Sequence, residues 1–110
     1  MTTLSITDIC VANAEFLKKP SFENLGIRFW ADLDGYGGIS DIDLPKSLEL
    51  VALIENYLVK NNIEFTLGHF EGKYDFTIGN GDWTEDIKDG NKCEAVNRCF
   101  YEAVVSKERV

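Results

Sequence analysis

The chain has 110 residues, with 11 Lys plus Arg against 19 Asp plus Glu, and a formal charge of −8. A chain this acidic is repelled by phosphate backbones and anionic headgroups, which excludes a nucleic-acid binder of the usual basic kind and points to a basic partner for any charged contact. Its length and its 45% hydrophobic content fit one compact domain, residues 1–110, able to bury a real core.

Cys10, Cys93 and Cys99 show neither a C-x-x-C spacing nor a paired framework, so a reduced, cytoplasmic protein is the expectation. No basic start followed by an apolar run opens the chain, and nothing approaches the roughly 20 apolar residues of a membrane span. Acids and bases are spread evenly along the chain, without repeats or low-complexity segments.

Ser5 to Asp8 resembles a capping box, and Ile6, Ile9, Cys10 and Leu17 recur with a helical period, which predicts a helix over about 6–18 ended by Pro20. Ile27, Phe29, Ala31 and Leu33 alternate with polar or aromatic neighbours as a strand does, until the glycine-rich Asp34–Gly38. A broad apolar stripe through Leu44, Leu48, Val51, Ile54 and Leu58 predicts a second helix. Asp43 is its expected cap, Pro45 lies in its first turn, and Asn61-Asn62 form its left-handed exit.

A hairpin follows. With Glu71-Gly72 as a two-residue turn, His69 faces Tyr74, Leu67 faces Phe76 and Phe65 faces Ile78, so the apolar pairs share one face. The other face is expected to carry Trp30, Thr66, Phe70, Asp75 and Thr77, with helix 1 as a possible cover for the two aromatics. Asp82 to Gly90 reads as an acidic connector with a short strand near Trp83. The closing helix starts at Asn91, with Glu94 returning the cap and Cys93, Val96, Phe100, Ala103 and Val104 as its apolar stripe. The predicted class is α+β, a small antiparallel sheet of about three strands with helices packed on it, in the order α-β-α-β-β-α.

No catalytic motif is present, and no enzyme, cofactor or metal is expected. His69, the sole histidine, reads as a hydrogen-bonded core or rim residue beside Tyr74. Cys93 and Cys99 diverge by about 120° on one helix and read as small hydrophobes instead of metal ligands. Gly35, Gly37 and Gly38 follow a strand, but their acidic neighbours would repel a phosphate.

Two resemblances stand out. Residues 32–43 resemble the calcium loop of EF-hand and dockerin modules, with Asp32, Asp34, Gly37, Ile39 and Asp43 at matching positions. Tyr36 stands where an oxygen ligand belongs, Asp43 replaces the usual Glu, and a strand precedes the loop, so the expectation is a glycine-rich turn. A calcium-stabilised structural or adhesion module is the alternative that the resemblance implies. Residues 41–105, with their helix, the hairpin IEFTLGHFEGKYDFTIG, the Trp83 connector and the closing CEAVNRCFYEAVV, resemble the small ABA-sandwich domain of bacteriophage proteins. That resemblance implies a phage or mobile-element accessory protein with no assigned enzyme activity.

The functional expectation is an acidic binding protein that docks on a basic surface of a host nucleic-acid-handling protein, its carboxylates standing in for phosphates as in anti-restriction and anti-CRISPR inhibitors. It would contact neither nucleic acid nor membrane directly. The expected contact set is Asp32, Asp34, Asp41, Asp82, Trp83, Glu85, Asp86 and Asp89, carboxylates around an aromatic anchor.

Overall fold

The computed structural model describes residues 4–31, 38–79, 84–89 and 91–108, with positions 84–89 and 108 described through their backbone. The fold is α+β: three main helices and two separate antiparallel sheets of three strands each.

Helix α1 spans Ile6–Phe16, and Ser5 caps it by accepting the Asp8 amide at 3.1 Å. It ends two residues earlier than the periodicity suggests, because Lys18 takes a left-handed φ of 59°. A strand absent from the sequence reading then appears. Residues Ser21–Asn24 (β1) pair with Ile27–Trp30 (β2) across a Leu25-Gly26 turn, Phe22 meeting Phe29 and Ser21 meeting Trp30. Both turn residues have positive φ, 54° and 79°, the geometry that matches the twist of a two-residue hairpin. Ile39–Ser40 (β3) completes this sheet by pairing with Phe29 and Trp30. Gly38 makes the approach possible, since at φ +87° any Cβ would collide with the Trp30 carbonyl.

The second helix starts later than expected. Leu44–Lys46 forms a 3₁₀ turn in which Asp43 makes no side-chain cap bond. The cap of α2, Leu48–Lys60, is the buried Ser47, whose hydroxyl accepts the Leu50 amide at 3.0 Å. Pro45 provides the reason, fitting a short first turn while the chain redirects before the longer helix begins. At the other end Asn62 supplies the left-handed exit at φ 57°, as the sequence suggested.

The second sheet contains β4 (Glu64–Phe70), β5 (Lys73–Gly79) and β6 (Thr84–Asp89) in that order. Its hairpin has the predicted register throughout, from Phe70 opposite Lys73 to Glu64 opposite Gly79. Glu71 and Gly72 turn with φ 52° and 75°. The acidic connector is a true strand, β6, paired with β5 from Tyr74 opposite Asp89 to Gly79 opposite Thr84.

Helix α3, Lys92–Phe100, is capped as predicted by Asn91, which accepts the Glu94 amide at 3.1 Å. The Glu94 carboxylate does not return the contact. It pairs with Arg98 one turn on, at 2.9 Å. The helix continues through a π turn over Tyr101–Val105, in which Ala103, Val104 and Val105 are buried. The core gathers Cys10 and Ala14 of α1, Leu50, Ile54 and Leu58 of α2, Phe76 and Ile78 of β5, and Val96, Cys99 and Phe100 of α3. Within it, buried Asn13 donates to both the backbone carbonyl and Oδ1 of buried Asn97 at 3.0 and 2.9 Å, and Asn97 donates to the Cys93 carbonyl at 2.8 Å. This polar clasp fixes the register of α1 against α3, because sliding either helix would strand buried donors.

Candidate functional site

The second sheet has two unlike faces. Phe76 and Ile78 point into the helices and are wholly buried. The opposite face, carrying Thr66, Gly68 and Phe70 from β4 and Lys73, Asp75 and Thr77 from β5, has no helix over β4, where all three residues are exposed. At its turn end Phe70, 73% exposed, borders a depression of about 300 Å³ lined also by Glu71, Lys73 and Asp75. The Asp75 Oδ1 atom is buried and accepts no hydrogen bond among the described residues; Lys88 occupies the register position across from it.

Trp30 does not belong to this face, contrary to the sequence expectation. It sits in the first sheet with 1% of its surface exposed, its indole N–H donating to Asp41 Oδ1 at 2.6 Å. The two aromatics proposed for one face thus part company, Trp30 in the core and Phe70 in solvent. The reason is that residues 21–30 close a hairpin of their own instead of adding a strand to the second sheet.

Asp41 makes contacts within the fold. Its carboxylate accepts the Arg28 Nε at 3.3 and 3.2 Å as well as the Trp30 indole. Arg28 in turn reaches Glu15 of α1 at 3.7 Å and lies 4.9 Å from the Trp30 ring centroid. Asp41 therefore ties β2 to the segment after β3 while staying partly exposed. Asp32, Asp34, Asp82 and Trp83 lie outside the described residues. Glu85, Asp86 and Asp89 are placed by β6: Asp86 is opposite Thr77, while Glu85 and Asp89 are opposite Ile78 and Tyr74. In a strand, neighbouring positions belong to opposite faces. Asp86 thus falls in register with the open face, and Glu85 and Asp89 do not. The acids assigned to one loop surface are divided by strand alternation.

Of the calcium-like loop, the described part is Gly38 to Asp43. Here Ile39 is a strand residue, Asp41 is engaged as above, and Asp43 accepts from Ser40 Oγ at 3.3 Å. Among the described residues no three His, Cys, Asp or Glu side chains gather as metal ligands. His69 stands exposed on β4, its ring 4.7 Å from that of Tyr74; it is a rim residue.

The cysteines are free and buried, as predicted. Burial, with Cys93 and Glu94 adding to it, pushes the Cys10 thiol from 9.0 up to about 12. Above pH 9 the unfolded chain therefore loses this proton while the folded chain keeps it, so stability is fully present below about pH 9 and falls from there to about pH 12, by at most roughly 1.4 kcal/mol per pH unit. Urea midpoints measured at pH 7.5, 9 and 10.5 should decline only over the upper interval, and Cys10→Ala should flatten that decline. An unchanged slope in Cys10→Ala would remove the thiol from the explanation.

No protein-family model, curated protein or solved structure matches the chain. No helix among the described residues is long and apolar enough to cross a membrane.

Proposed function

We propose that the chain is a small acidic protein, of phage or mobile-element type, that binds a basic surface of a host protein and competes there with nucleic acid. The observation that carries this reading is the open face of the second sheet, where Phe70 stands almost free in solvent beside Glu71 and Asp75. A large exposed ring with carboxylates at its margin supplies the two things such a contact needs. Burying the ring gives affinity, and the charges orient the approach of a basic partner. The net charge of −8 steers that approach over longer range than any single pair. Asp86 occupies a register position on the same face, opposite Thr77.

Capture from bacterial lysate on the immobilised protein tests this. The retained protein should be a nucleic-acid-binding one, should elute as salt rises from about 0.05 to 0.5 M, and should be displaced by added duplex DNA or RNA. Replacing Glu71 and Asp86 together by Gln and Asn should slow association severalfold and flatten its salt dependence, with little effect on the melting point. Phe70→Ala should instead accelerate dissociation. Binding that survives the two-acid replacement intact, or a captured protein indifferent to nucleic acid, would refute charge mimicry.

A further inference from the structure

We propose that two copies of this chain join edge to edge along β4, forming one continuous antiparallel sheet with Leu67 of each copy on the two-fold axis. This goes beyond the binding reading and does not depend on it.

The first ground is the state of the edge. Strand β4 ends the order β4-β5-β6, and its seven residues, EFTLGHF, pair with β5 in an unbroken register. Proteins usually blunt such an edge with lysine, proline, a bulge or a short strand. None of these is present here; the single charge is Glu64, at the very start. The edge of the first sheet differs, since β1 has only four residues and carries Glu23 among them.

The second ground is backbone geometry. In a two-residue hairpin the residues flanking the turn, Phe70 and Lys73, exchange the hydrogen bonds. Alternation then directs the amides and carbonyls of Phe65, Leu67 and His69 away from β5. A two-fold through Leu67 brings the second copy's His69 opposite Phe65 and its Leu67 opposite Leu67, so each outward group meets its complement.

The third ground is what the side chains leave uncovered. The helices bury Phe76 and Ile78 on β5 completely, yet on the same face of β4 Phe65 is half-buried and Leu67 is 39% exposed. A second copy sets its own Leu67 and Phe65 against this fringe. On the other face Glu64 would meet Phe70 and Thr66 would meet Gly68, so no like charges oppose each other. Gly68 has no steric reason within one chain, because a Cβ there would come no nearer than 3.9 Å to the Asp75 carbonyl.

Sedimentation equilibrium on the purified chain alone, from about 10 μM to 1 mM, tests the proposal. The mass should rise by mass action toward twice that of the chain. Because each copy carries −8, association should tighten as salt screens the repulsion, the reverse of the salt response expected for a basic partner. Leu67→Pro deletes an amide that β5 does not use, and Leu67→Lys sets two like charges on the axis; each should weaken association about tenfold or more. Under mild oxidation Leu67→Cys should give a disulfide-linked dimer, and Thr77→Cys on the central strand should not. A monomer at every concentration overturns the proposal, as does a dimer of undiminished affinity in Leu67→Lys, which keeps the test open if the proline variant does not fold. With no other partner in the cell, failure here leaves the basic-surface reading untouched.

Discussion

Replacing Trp30 by alanine should lower the stability of the chain by about 3–5 kcal/mol, a large part of the 5–15 kcal/mol typical of a domain. Among the described residues Trp30 is the largest fully buried side chain, and it joins the first sheet to the buried helical cluster. Its removal opens a cavity that the short strands β1, β2 and β3 cannot close by themselves. It also leaves Asp41 without the indole donor at 2.6 Å, although Arg28 continues to hold that carboxylate. The melting point should fall on the order of 15–30 °C. Trp30→Phe keeps most of the ring and loses the N–H, so its cost should be smaller, about 1–3 kcal/mol. Circular dichroism melts of the two variants would separate packing from hydrogen bonding. A Trp30→Ala protein melting within about 5 °C of the parent would mean that the first sheet contributes little to the cooperative unit.

The contrast between Trp30 and the β4–β5 hairpin shows where sequence was informative. For the hairpin, two independent signals agreed: alternation on both sides and a Glu-Gly turn at the only position that aligned the apolar pairs. Its register follows from local chemistry alone. The β1–β2 hairpin carried a similar signal, Phe22 and Phe29 placed symmetrically about Leu25-Gly26, but Leu25 is 94% exposed in a left-handed conformation, and leucine there does not announce a turn. The mirror spacing of the two phenylalanines was the available clue. The strand β6 was harder still. TEDIKD has one apolar residue and poor intrinsic strand preference, and it is a strand because β5 offers a free edge and α3 packs nearby, a tertiary decision overriding propensity. That decision is what divided the acidic contact set between two faces. The helix caps tell a mixed story: Ser5 and Asn91 cap as read, while Asp43 yields to Ser47, since a 3₁₀ turn built on Pro45 separates the first from the second.

The second large effect is expected at Phe100, the last residue of α3 before the π turn. Its ring meets Phe16 of α1 edge-on at 5.9 Å and 74°, and Tyr57 of α2 at 5.6 Å and 78°. Phe16 and Tyr57 also meet each other edge-on at 5.3 Å. One aromatic from each helix therefore closes a triangle, with Phe100 as the wholly buried corner and the other two half-buried. Phe100→Ala should cost about 3–5 kcal/mol, and Phe16→Ala or Tyr57→Ala less, because solvent already reaches their outer edges. The rings also interact beyond the area they bury, by about 0.5–1.5 kcal/mol per pair. A double-mutant cycle on Phe16→Leu and Phe100→Leu isolates that contribution, since leucine retains apolar volume while removing the edge-to-face contact. The two substitutions should cost less together than the sum of their separate costs, as the second removes an interaction already lost. Strict additivity in urea midpoints would show that the Phe16–Phe100 contact contributes through burial alone and that its ring geometry is incidental.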